Sequence, residues 1–246
     1  MADSAVVSVH INFHQNGSCQ YQDDDQAAIW LYGKKSFDKG KIRIFKNVIE
    51  GENFRYHPDT RHLIRKQLNI EEDFVIGHVA RFCPVKNHLF DIEILAEVKK
   101  IIPNVKLLLV GGGELQSAII EKATQYGVLN DIIFSGVVPN VYDFEQAMDA
   151  FILPSFYEGL PLSIIEAQIS GLPCFTTEGT VSKECSVTDL VTYIPLEAGP
   201  QVWADKICKS LEVIRFDRFD EIAQQGYDAK TSAKELQNFY LSKYDQ

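Results

Sequence analysis

The sequence predicts an α/β fold: one doubly wound parallel sheet with helices on both faces and further helices at the C-terminal end. Three observations predict it. Six short apolar runs follow one another from Asp73 onward: FVIGHVA (74–80), VKLLLVG (105–111), DIIFSG (131–136), DAFILPS (149–155), PCFTT (173–177) and VTYIP (191–195). Helical stretches near 87–101, 114–126, 140–147, 161–170 and 201–213 alternate with them. Hydrophobic residues make up 46% of the 246 and charged residues 24%, which supplies a sizeable core and excludes wholesale disorder. Near-continuous apolar strands are those buried on both faces, and helices of this length between them imply right-handed βαβ crossovers. A ligand is then expected outside the carboxyl ends of the strands.

In chain order, residues 1–26 carry Asp3, Asp23, Asp24 and Asp25 but no Lys or Arg, and their VVSVHINFH segment alternates as an edge strand does. His10 and His14 invite a metal reading, yet no cysteine lies at ligand spacing, and no metal site is assigned. Residues 27–46 reverse the charge with Lys34, Lys35, Lys39, Lys41, Arg43 and Lys46, and read as a short helix or turn leading to the strand KIRIF. The last segment, 217–245, has helical apolar spacing (Phe219, Ile222, Ala223, Tyr227, then Leu236, Phe239, Tyr240), which predicts terminal helices that pack on the domain or cross to another. The expected division is an N-terminal remnant or linker at 1–40, a ligand-binding domain at 41–215 and C-terminal helices at 216–246.

A net charge of −10 argues against nucleic acid or an anionic membrane surface as partner, because both attract an excess of Lys and Arg. The five cysteines (Cys19, Cys83, Cys174, Cys185, Cys208) form no CxxC pair and resemble neither a disulfide framework nor a zinc site. No run approaches eighteen apolar residues and no signal peptide is evident, so a cytoplasmic protein is expected, with membrane association only through a partner.

Three motifs carry chemistry. Gly111-Gly112-Gly113 follows an apolar strand and precedes a helix; Gln116 breaks the dinucleotide fingerprint, and no GxxxxGK[ST] phosphate loop exists. The glycines mark either a tight βα turn or close approach of a phosphate. In HVARFCPVKNH, Arg81 and Lys86 sit on a βα loop, with Asn87 placed to cap the next helix. They suit a diphosphate, through a planar fork and a movable point charge, or are two solvated cations. Cys83 between them is read as a bystander thiol. The strongest signal is PSFYEGLPL (154–162) with Glu166 beyond it: a strand ends at a polar loop, Pro161 suits a first helical position, and the helix stops at Gly171 and Pro173. Glu158 and Glu166 can then face one cleft, where carboxylates accept from sugar or ribose hydroxyls and the helix N–H groups favour a phosphate between them. A ligand with hydroxyls, phosphates and hydroxyls again is a sugar nucleotide.

Glu158 and Glu166 within EGLPLSIIEAQISGLP, Arg81 and Lys86 within RFCPVKN, and the glycines of LLLVGGGEL resemble the nucleotide-sugar-binding domain of family 4 retaining glycosyltransferases, which have a GT-B fold of two Rossmann-like halves. The likeness covers about residues 40–215. It implies that Arg81 and Lys86 bind the donor diphosphate, Glu158 the transferred sugar and Glu166 the ribose, with Arg81, Lys86 and Glu158 as the catalytic set. It further implies that Gly111, Gly112 and backbone groups near Gly159 and Leu160 meet the donor, and that the Val137-Val138 loop lies against the base, with no metal or cofactor required. Asn47 matches the Asn of the family's Asn-Gly-[Ile/Val]-Asp segment, but Val48 and Glu50 replace its Gly and Asp, and Ala80 stands where the family often has Gly.

Residues 1–46 are too few for a nucleotide-fold domain, so the acceptor half is expected to be missing and the chain to be inactive alone, with a separate acceptor-binding subunit as a possible partner. The implied activity is sugar transfer from a UDP- or GDP-sugar to a polysaccharide, capsule or glycolipid acceptor. The alternatives are a non-catalytic nucleotide-sugar-binding subunit and a relative of the sugar-nucleotide epimerases.

Overall fold

The computed structural model describes residues 5–7, 29, 32–39, 42–44 and 46–244. Two short strands, β1 (Ala5–Val7) and β2 (Ile42–Ile44), pair in parallel apart from the main sheet, and helix α1 (Lys34–Asp38) lies between them in the chain. The remainder of the expected edge strand, with His10 and His14 and the metal reading they invited, lies outside the described residues.

Helix α2 (Pro58–Leu68) precedes the main sheet and was not expected from the sequence. Its PDTRHLIRKQL has too few apolar residues to show a period, and polar contacts dock it. Arg61 and Arg65 both bind the Asp149 carboxylate, and their guanidinium groups also donate to the carbonyls of Gln146, Ala147 and Met148. Arg215 donates to the carbonyls of Gln146, Met148 and Ser170 from the other side.

Six parallel strands follow, each inside the apolar run that predicts it: β3 (Phe74–Val79), β4 (Val105–Val110), β5 (Ile132–Gly136), β6 (Ala150–Leu153), β7 (Cys174–Thr177) and β8 (Val191–Ile194). Helices α3 (His88–Ile101), α4 (Gln116–Gln125), α5 (Val141–Ala147), α6 (Leu162–Ile169) and α7 (Gly199–Cys208) connect or cover them. Strand residues alternate between two cores: Val75, Leu108, Phe151 and Leu153 face one, and Ile76, Leu107, Leu109 and Ile152 face the other. Each of these side chains is fully buried, and each contributes about 1.5–3 kcal/mol of hydrophobic stabilisation. Gly77 is the small residue that lets β3 pass under α5's end, since a Cβ there would lie 1.9 Å from Met148 Sδ.

The spatial order is β5-β4-β3-β6-β7-β8. The chain winds outward from β3 through β4 to β5, returns to the opposite side of β3 as β6, and continues outward to β8. The loops after β3 and β6 therefore leave the carboxyl edge side by side, where the winding reverses and crevices form. Beyond the sheet, α8 (Phe219–Ile222) and Tyr227 add Phe219, Ile222 and Tyr227 to one core, and α9 (Ala229–Tyr244) ends the described chain. Ile49 bridges this segment by donating to the Tyr227 carbonyl and accepting from the Ala229 amide.

Candidate functional site at the strand-order reversal

The loop after β3 is built against the glycines. Gly111 has φ of +140°, and a Cβ there would lie 2.1 Å from the Ala80 carbonyl oxygen; at Gly113 it would lie 2.4 Å from that of Phe82. Phe82 N donates to Gly112 O and Leu115 N to Phe82 O, so backbone meets backbone across the two loops. The glycines thus serve a tight turn that supports residues 80–82. Arg81 extends from this support with its side chain 73% exposed, and its guanidinium is 3.3 Å from Glu114.

Lys86 behaves differently. Its ammonium donates to Glu158 Oε1 at 2.5 Å, and Ser155 Oγ donates to the same oxygen at 2.7 Å. The structure thus joins two predicted site residues from loops on adjacent strands, while Arg81 and Lys86 hold separate partners. The loop after β6 is fastened on both sides: Phe156 N donates to Val85 O, Glu158 N to Thr180 O, and Thr180 Oγ1 to Ser155 O. Asn87 joins this fastening instead of capping α3. It takes a left-handed conformation (φ 58°) and its Nδ2 donates to Pro154 O at 3.1 Å, which leaves no side-chain cap on that helix. Pro161 is likewise one position earlier than expected, preceding the first helical residue Leu162.

Glu166 lies in the second turn of α6, half-buried, and burial pushes its carboxyl up to about 7. Gly159 and Leu160 are half-buried between it and Glu158, and Leu160 packs on the core. On the other side of the crevice Val137 is 84% exposed while Val138 packs inward, and Val137 is the side chain that a Cβ on Gly112 would approach, at 3.2 Å.

Three buried ionisable residues escaped the sequence reading because each looked like an ordinary position in a strand or helix. His78 on β3 and His88 and Asp91 in the first turn of α3 are all fully buried. His78 Nδ1 lies 2.7 Å from Asp91 Oδ2, and the two imidazoles stack at 4.1 Å with their planes 4° apart. The potential ligand atoms lie within 4.8 Å of one another. Parallel stacked rings keep their lone pairs in separate planes, however, so one ion cannot sit along both at ligand distance. Burial pulls both imidazoles down to about 3 and pushes the Asp91 carboxyl up, so it works against charge on all three groups. Glu145 on α5 is a fourth such residue; burial and then the neighbouring Glu166 raise its carboxyl.

Residues 60–212 match the model of the family described as "Glycosyl transferases group 1". The putative glycosyltransferase EpsF of Bacillus subtilis (strain 168) is 33% identical over 220 residues, 88% of this chain and 57% of that protein. The UDP-Gal:alpha-D-GlcNAc-diphosphoundecaprenol alpha-1,3-galactosyltransferase of Escherichia coli is 30% identical over 164 residues, 65% of this chain and 41% of the enzyme. The chain therefore spans about half the length of these relatives. Among solved structures, Anabaena Alr3699/HepE in complex with UDP and glucose superposes with a TM-score of 0.69 at 21% identity, over 89% of this chain and 60% of that one; the superposed part shares the Rossmann-like fold of a GT-B architecture. No helix among the described residues is long and apolar enough to cross a membrane. The chain belongs to the glycosyl transferases group 1 family.

Proposed function

We propose that this chain is the donor-binding half of a family 4 retaining glycosyltransferase that moves a sugar from a UDP- or GDP-sugar to a polysaccharide or glycolipid acceptor. The observation that carries the reading is the Lys86–Glu158 pair, because it joins a cation suited to phosphate and a carboxylate suited to sugar hydroxyls where the strand order reverses. Lys86 and the exposed Arg81 neutralise the donor diphosphate, Glu158 accepts from the transferred sugar and Glu166 from the ribose. Backbone groups at Gly111, Gly112, Gly159 and Leu160 line the path, and Val137 and Val138 border the base. Support for a nucleotide-sugar comes from HepE, whose structure holds UDP and glucose on the same fold.

In the reaction, the bond from the anomeric carbon to the diphosphate oxygen breaks while the acceptor oxygen bonds to that carbon on the same face. The acceptor proton passes to the departing phosphate oxygen. Fixed cations stabilise the charge that develops there, an electrostatic role that no metal need share. The acceptor side, which excludes water and orients the attacking hydroxyl, comes from a second domain, in the same protein or on a partner chain.

A thermal-shift panel of UDP- and GDP-sugars tests donor binding. Saturation at 100 times the dissociation constant adds about 2.7 kcal/mol of stability, and flat melting curves across the panel refute the reading.

A further inference from the structure

The loop from Ala80 to Asn87 carries both cations, and its two ends are closed by side chains that the donor reading leaves unused. His78 stands one residue before the end of β3, and His88 and Asp91 begin α3. The His78–Asp91 bond and the His78–His88 stack tie the end of the strand to the start of the helix directly across the base of the loop. Phe82, inside the loop and fully buried, sets its ring edge-on to His88 at 4.7 Å and its backbone against the glycines. Four polar atoms of the cluster, His78 Nε2, both His88 nitrogens and Asp91 Oδ1, have no hydrogen-bond partner among the described residues. Each such atom costs about 1–3 kcal/mol, whereas apolar residues of the same shape would fill the space at no such cost. A buried cluster that opposes stability calls for a role beyond packing. Its position supplies one: the His78–Asp91 bond closes the base of the loop whose Lys86 reaches across to Glu158.

We propose that His78, His88 and Asp91 form a hydrogen-bonded and stacked clamp that holds the Lys86 loop in register with Glu158, making them positioning residues for the donor's diphosphate. The inference rests on the donor reading for its consequence and on the Lys86–Glu158 pair for its geometry. The His78 Nδ1–Asp91 Oδ2 hydrogen bond of 2.7 Å is one that an asparagine amide at position 91 can also make.

The test compares three chains. In the double variant His78→Leu with Asp91→Leu, both polar partners are replaced together, so the melting temperature is expected to stay within a few degrees of the parent. UDP affinity should nevertheless fall about tenfold, on the scale of a lost charge-assisted hydrogen bond, while uridine affinity, which does not use Lys86, stays unchanged. Asp91→Asn should keep UDP affinity within about twofold of the parent. Without nucleotide, the Lys86 ammonium resonance in nitrogen-15 spectra should show a restricted group in the parent and Asp91→Asn and a freely rotating one in the double variant. That readout needs no ligand: if the parent binds no UDP but the double variant still releases a Lys86 that the parent restricts, the donor reading fails and the clamp stands. The clamp is overturned by an unchanged Lys86 signal, by equal losses for UDP and uridine, by weakened UDP binding in Asp91→Asn, or by one equivalent of zinc in the purified parent.

Discussion

Replacing Glu166 with glutamine should stabilise the protein and weaken its ligand at once. Burial lifts the Glu166 carboxyl from 4.5 to about 7, so between those values the folded chain keeps a proton that the unfolded chain has released. The folded state binds more protons there, and stability falls as pH rises from 4.5 to about 7 and stays reduced above it. At about 1.4 kcal/mol for each tenfold change in proton affinity, the full effect above pH 8 is about 3 kcal/mol. The side chain is half-buried, and contact with water reduces that to about 2 kcal/mol. Glutamine has the same shape and no charge to desolvate. Glu166→Gln should therefore raise the melting temperature by about 4–8 °C at pH 8 and leave it unchanged near pH 4. Calorimetric melts at the two pH values check this, and an equal change at both refutes burial as the cause. In the same variant an amide offers ribose one acceptor where a carboxylate offers two, so UDP affinity at pH 8 should drop about tenfold. In the parent, UDP should bind more tightly at pH 8 than at pH 6, because only the ionised carboxylate serves both hydroxyls.

Two further predictions concern the loops. Gly113→Ala drives a methyl group to 2.4 Å from the Phe82 carbonyl and should cost about 2 kcal/mol or more, read as a lowered denaturation midpoint together with weaker UDP binding; a parent-like midpoint would show that the loops do not need this contact. Glu158→Ala releases Lys86 from its resting partner, so bare UDP should bind about fivefold more tightly while the added affinity from an attached hexose disappears; titrations with UDP and UDP-hexoses that change in parallel would contradict the assignment of Glu158 to the sugar.

The sheet was legible because β3, β4, β6 and β7 are buried on both faces and read as apolar runs, and the edge strands β5 and β8, although less buried, keep the same pattern. Helix α2 was not, since its attachment runs through Arg61 and Arg65 to Asp149 and to main-chain carbonyls, a pattern with no period. In the candidate site, Lys86, Glu158 and Glu166 could be named because strand ends and the EGLPL string mark the carboxyl edge. Asn87 misled for a local reason: Asn preceding a helix ordinarily caps it, but here the left-handed backbone turns the amide toward Pro154 and the neighbouring strand. His78, His88, Asp91 and Glu145 stayed hidden because sequence shows their chemistry but not their burial, and burial is what sets their protonation.

The ion pair between Lys86 and Glu158 gives the site an internal stand-in for what it is proposed to bind. Under the donor reading, an arriving phosphate must displace Glu158 from Lys86, and the carboxylate so released needs a hydrogen-bond donor of its own. A bare nucleotide meets the first need and a free sugar only the second. A molecule that carries both meets them in one exchange, so intact donor is favoured over either of its fragments before any acceptor arrives. Once the sugar has left, Glu158 is free to reclaim Lys86 and help expel the nucleotide, and the Lys86–Glu158 contact would then also set the pace of product release.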